Sequence, residues 1–148
     1  MDTQSLHIMA EFHGCDPRIL NSVESVEALM RAAADAAGAT VVESSFHKFG
    51  PHGVSGVLVL AESHLSVHTW PERDYAATDI YTCGDRCTPE RAHEVLQVAL
   101  KAQRCEVMVV ERGLPGQEGM RLVKHQVLAP SAELGDESPQ AAQRIDRA

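Results

Sequence analysis

A chain of 148 residues with 21 acidic side chains against 13 lysines and arginines, formal charge -8, suits one domain with its own core. That charge is poorly suited to gripping phosphate backbones, which argues against a nucleic-acid partner. An apolar share of 44% is ordinary for a globular protein, and no apolar run approaches the ~20 residues of a membrane helix, so no membrane partner is expected.

In chain order, Leu6 to Phe12 alternates as a first strand, with Leu6, Ile8, Ala10 and Phe12 on one face. Cys15-Asp16-Pro17 punctuates the chain. A helix is predicted from about Ser22 to Ala37, on the repeat of Val23, Val26, Met30, Ala33 and Ala37, with Asn21 or Ser22 as cap and Gly38 as stop. Four strands then follow in series: Thr40 to Phe49, Val54 to Ala61, His64 to Trp70, and Tyr75 to Thr82. Thr88-Pro89 opens a second helix with Ala92, Val95, Leu96 and Ala99 as its buried stripe. Cys105 to Glu111 is a further strand, and Gly119 to Val127 a weak one. Residues 114–129 read as an extension, and 130–148, rich in Ser, Glu, Asp, Gln and Ala, as a mobile tail. This order implies an α+β fold: an antiparallel sheet with helices on one face. The other face then needs a cover, and a second subunit is the simplest one.

Met1 to Phe12 lacks the basic and apolar regions of a secretory signal, so a cytoplasmic location is expected, with all four cysteines as free thiols. Cys83-x3-Cys87 is not the usual zinc spacing and no second pair follows, so no metal is expected. The densest polar segment runs from Ala61 to Glu72. On a strand, His64, Ser66, His68 and Trp70 share one face, and Ser63, Leu65 and Val67 the other. A polar face on a central strand either lines a pocket or meets solvent, and pattern alone leaves both open. A Ser–His hydrolase is disfavoured because no G-x-S-x-G elbow is present.

Several strings carry more than periodicity. They are Ala10-Glu11-Phe12, Phe46-His47-Lys48-Phe49, Gly53-Val54-Ser55-Gly56, Glu62 through Glu72, Tyr75 through Ile80, Thr82-Cys83-Gly84-Asp85 and Glu111-Arg112-Gly113. Together they resemble prokaryotic S-adenosylmethionine decarboxylase proenzymes, from about His7 to Gly113. The resemblance implies a domain over 1–113 and an αββα sandwich completed by homodimerisation, with active sites at the interface. It implies self-cleavage between Glu62 and Ser63 into 1–62 and 63–148, with Ser63 becoming a covalent pyruvoyl cofactor that binds the substrate amine as a Schiff base. It further implies roles for His68 as base and Ser55 as partner in processing, for Cys83 as proton donor, and for Phe49 and Glu72 in holding adenine and ribose. Read alone, the structural alternatives are favoured: Ser55 as a turn residue, His68 as a satisfied strand histidine and Cys83 as a small buried residue. The expected substrate is S-adenosylmethionine, feeding spermidine synthesis. The alternatives are arginine or ornithine on the same chemistry, or a subunit that never processes. Gly50 and His52 depart from the pattern of many relatives, which bears on substrate preference.

Overall fold

In the computed structural model, which describes residues 3–116 and 119–129, seven antiparallel strands form a single sheet in the order β2-β3-β4-β5-β1-β6-β7. The strands are β1 (Ser5–His13), β2 (Val41–Lys48), β3 (Val54–Leu60), β4 (Ser63–Trp70), β5 (Tyr75–Cys83), β6 (Arg104–Arg112) and β7 (Arg121–Leu128). Two longer helices, α2 (Val23–Ala36) and α3 (Pro89–Ala99), pack on each other and on one face of the sheet, joined by a short α1 (Pro17–Leu20). The expected α+β arrangement is therefore present.

Local chemistry explains the boundaries. Ser22 caps α2 by accepting a hydrogen bond from the Ser25 N–H at 3.1 Å, with Glu24 favourable in the first turn. Asp16 does the same for α1, accepting from the Arg18 N–H, where the sequence reading had only a break. Thr88 occupies the cap position of α3, but its side chain makes no capping bond, so proline at the first position carries that start.

Period-two alternation sorts each strand. Ile8, Ala10, Phe12, Leu58, Leu65, Val67, Ile80 and Val107 point into the core with Val26, Met30, Ala33 and Leu96 of the helices. Fully buried Phe12 stacks on His93 of α3, ring centroids 5.5 Å apart. His93 is buried within the predicted apolar stripe, while Val95 and Ala99 are only partly covered. The opposite face carries no element of this chain among the described residues. It presents His7, Met9 and Glu11 from β1, Ser55 and Val59 from β3, His64, Ser66, His68 and Trp70 from β4, and Asp79 and Tyr81 from β5. β7 pairs along β6 and lengthens that face. No helix among the described residues is long and apolar enough to cross a membrane. The tail expected over 130–148 lies outside the described residues.

Candidate active site

β3 and β4 form a hairpin in which Leu60 pairs with Ser63, so Ala61-Glu62 is a two-residue turn. The turn is anchored from both sides. Ala61 N–H donates to Thr40 O at 2.9 Å, and Glu62 Oε1 accepts from Thr40 N–H at 2.7 Å. The carbonyl of Glu62, the one before Ser63, accepts the Cys83 N–H at 2.9 Å. Ser63 itself has φ of +148°, a region that side-chain-bearing residues avoid. A strained serine thus follows a polarised carbonyl, with Cys83 at the end of the adjacent strand.

The other sequence-derived residues lie at the far end of the same hairpin. Ser55 pairs directly with His68 across β3 and β4, and Ser55 Oγ lies 2.7 Å from His68 Nδ1. Phe49 follows β2; it is 46% exposed and meets the His47 ring edge-on at 4.5 Å. Its exposure excludes the core role its residue type also allows. Glu72 sits exposed on the 3₁₀ turn Pro71–Arg73 after β4. A depression of about 440 Å³ there is lined by Arg18, Asn21, His52, Pro71 and Glu72 among others. One chain thus groups Glu62, Ser63 and Cys83 at one end and Phe49, Ser55, His68 and Glu72 at the other. Five residues of extended strand separate His68 from Ser63, roughly 17 Å.

Between the two ends, the open face holds a network that the sequence reading only half found. It placed His64 and Ser66 on this face but not their partners. Ser66 Oγ donates to Asp79 Oδ1, His7 Nε2 lies 3.1 Å from Asp79 Oδ2, and His64 Nε2 lies 3.5 Å from Asp79 Oδ1. Arg112 lies over the Tyr81 ring at 4.5 Å and donates to His7 Nδ1 at 3.2 Å, and Ser5 Oγ donates to Tyr81 Oη. The missed signal was parity: His7, Asp79 and Tyr81 occupy the outward positions of strands already drawn. Burial by itself would raise the Asp79 carboxyl. The Ser66 and His7 hydrogen bonds, with the nearby His64 and His7 rings, hold it below the ordinary carboxylate range instead.

His7, His64 and Asp79 bring donor atoms within 4.8 Å of one another, close enough to suggest a cation. Arg112 argues otherwise. A guanidinium only donates, so His7 Nδ1 accepts, and the ring proton sits on Nε2, pointing at Asp79. That tautomer has no lone pair to offer an ion at Nε2. The cluster reads as a closed hydrogen-bond network.

Comparison with known proteins follows the same residues. The chain is 50% identical to an S-adenosylmethionine decarboxylase proenzyme of Thermotoga petrophila over 113 residues, which is 76% of this chain and 87% of that one. A proenzyme of the same name from Thermosipho africanus is 52% identical over the same length, again 76% and 87% of the two chains. The crystal structure of the adenosylmethionine decarboxylase from Aquifex aeolicus superposes with a TM-score of 0.73 at 39% identity, covering 80% of this chain and 98% of that one. Residues 6–113 match the family described as S-adenosylmethionine decarboxylase, and with the hairpin, strained serine and sheet just described, the chain belongs to that family.

Proposed function

We propose that this chain is a proenzyme that cleaves itself between Glu62 and Ser63, and that the product decarboxylates S-adenosylmethionine with a pyruvoyl group made from Ser63. The observation that carries the reading is the Glu62–Ser63 peptide: strained at Ser63, with its carbonyl oxygen held by the Cys83 N–H.

Each atom has a task in cleavage. Ser63 Oγ attacks the Glu62 carbonyl carbon, and the Cys83 N–H steadies the oxyanion. The carbon–nitrogen bond breaks, an ester forms, and the strained geometry at Ser63 is released. A base removes the Ser63 α-proton, and the Cβ–O bond breaks with the Glu62 carboxylate as leaving group. The resulting dehydroalanine takes up water and loses ammonia, which leaves a ketone on the new terminus at residue 63. The group fits its site because its precursor is half-buried at the first residue of β4, directly after the hairpin turn, where a new terminus needs no rearrangement of the strands.

A pyruvoyl group there supplies a carbonyl that condenses with the substrate amine and draws electrons from the bond to the departing carboxylate. The chain's residues do the rest. Cys83 Sγ delivers a proton to the carbon that lost carboxylate. Phe49 offers an exposed ring for adenine, and Glu72 a carboxylate for the ribose hydroxyls. Ser55 and His68, held together at 2.7 Å, serve processing. Because they stand roughly 17 Å along β4 from Ser63, they act on the Ser63 of a second copy laid on the open face. The homodimer is therefore part of the proposal, as is a cytoplasmic location. Product goes to spermidine synthesis. The named relatives act on S-adenosylmethionine, and this favours that substrate over arginine or ornithine.

Intact mass tests the reading: two chains split before Ser63, the second with a blocked terminus. A single uncut chain of 16.1 kDa that releases no carbon dioxide from S-adenosylmethionine would overturn it.

A further inference from the structure

A second copy whose His68 stands over Ser63 leaves little freedom in how the two open faces meet. Identical sheets stacked face to face in a closed dimer are related by a two-fold axis that lies between them, parallel to both. Ser63 of each copy must then stand over His68 of the other. One such axis exists: the perpendicular bisector of the line from Ser63 to His68. It crosses β4 at the level of Leu65 and Ser66. It keeps each residue's place across the sheet and inverts its place along the strands, to within about one residue. The strands of the two copies then run antiparallel, in the aligned class of sheet packing.

The strand pairings carry that level across the sheet. Ser66 pairs with Val57 on β3 and with Asp79 on β5, and Val57 pairs with Ser45 on β2. Asp79 pairs with Met9 on β1, and Met9 with Met108 on β6. All six occupy outward positions. Met9 is 37% exposed, an uncovered apolar side chain at the middle of the face. Asp79 meets its own copy, and the bonds from Ser66 and His7 within each chain offset that repulsion. Charges on the two sides of this row are opposite in sign. Towards the Ser63 end, the Arg112 side chain crosses from β6 over β1, where it donates to His7 Nδ1 and covers the Tyr81 ring of β5. Towards the His68 end stand Glu11 on β1 and Glu106 on β6, paired with each other in register. Glu11 accepts from Tyr75 Oη at 3.0 Å, yet its side chain stays 53% exposed. Inversion along β1 brings Glu11 of one copy over His7 of the other, against the Arg112 guanidinium that lies there.

We propose that the dimer axis runs across the sheet through Ser45, Val57, Ser66, Asp79, Met9 and Met108, and that Glu11 of each copy pairs with Arg112 of the other. The register rests on the processing roles of Ser63 and His68 proposed above. The match of charges is a separate support for it.

The test joins chains through single introduced thiols in full-length protein carrying Cys83→Ser and Cys87→Ser. Cys15 and Cys105 are 3% and 0% exposed and do not compete. Exposed Ser45 marks the point where the axis reaches the β2 edge. Ser45→Cys chains should be joined to each other in the native dimer by a bismaleimide whose reach matches the roughly 10 Å between stacked sheets. Glu43 and His47 lie two residues to either side on β2, roughly 17 Å from their own copies. Glu43→Cys and His47→Cys proteins should each stay unlinked alone, and should link to one another when co-expressed. In otherwise unaltered protein, Glu11→Gln keeps an acceptor for Tyr75 but loses its charge. It should weaken the dimer by about tenfold or more in analytical ultracentrifugation and reduce the salt dependence of its Kd. A protein that is monomeric throughout, an unlinked Ser45→Cys dimer, or self-linked Glu43→Cys or His47→Cys overturns the axis. A Glu11→Gln dimer of unchanged strength overturns the charge pairing. Residues 43, 45 and 47 precede the cut, so linking is read on denatured chains whether or not they have been cleaved. Intact mass therefore tells a failure of processing apart from a failure of register.

Discussion

Ser63 and His68 divide the processing chemistry between two steps that single substitutions can separate. Removing the hydroxyl in Ser63→Ala should leave one chain of 16.1 kDa by intact mass, because no ester can form. Removing the base in His68→Ala should stall later: the ester forms, and hydroxylamine then cuts the chain at residue 62, whereas untreated protein stays whole. Prompt spontaneous cleavage in that variant would mean another group takes the α-proton. His93 offers a test of stability rather than turnover. Burial, with the Lys124 charge, pulls its imidazole from 6.5 down to about 4, so the unfolded chain binds a proton that the folded chain refuses. Stability is thus full above about 6.5 and falls as pH drops towards about 4, by about 3 kcal/mol across that window. Urea unfolding at several pH values should show that limb, and His93→Leu should flatten it.

At the level of helices and strands, apolar spacing told most of the story. Each predicted strand exists, because alternation at β1, β4 and β5 is a direct image of a sheet with one buried face. α1 escaped notice because four residues hold too little periodicity, and its signal lay in the Asp16-Pro17 cap. For the site, Ser63, Cys83, Ser55 and His68 were named by resemblance, which also assigned Ser55 and His68 to one chain and Ser63 and Cys83 to its partner; the strand register adds how far apart the two groups lie within one chain. Asp79 and Arg112 were not singled out, since a paired charge on an outward strand position looks like any solvated one until its partners are placed. One packing detail is specific enough to test. Gly56 lies opposite Phe46, and a Cβ there would come within 2.1 Å of the Phe46 ring. Gly56→Ala should therefore cost about 1–3 kcal/mol in chemical denaturation as the ring is displaced. A neutral result would show that Phe46 is free to move aside.

Taken whole, one copy holds both halves of the chemistry at opposite ends of a hairpin, and this makes a sharp demand on assembly. Co-expressing Ser63→Ala with His68→Ala chains should restore cleavage that neither shows alone, because a mixed dimer contains one site with both residues intact. With equal expression and random pairing, about a quarter of all chains would be cut. No rescue would mean that His68 acts on its own chain.

The order of strands also governs what happens after the cut. Residues before Ser63 supply β1, β2 and β3, and those after it supply β4 to β7, yet β1 lies between β5 and β6. The two pieces are therefore interdigitated, like fingers of clasped hands, and neither can leave without breaking three ladders of hydrogen bonds, β3 with β4 and β1 with both β5 and β6. No crosslink is required to keep them together. Once melted, however, the pieces must find each other again by diffusion, so the midpoint of unfolding and the yield on cooling should gain a dependence on dilution from parting of the two pieces, which the uncut precursor lacks. Maturation would leave the protein intact in its native state while making a single melting event far harder to reverse.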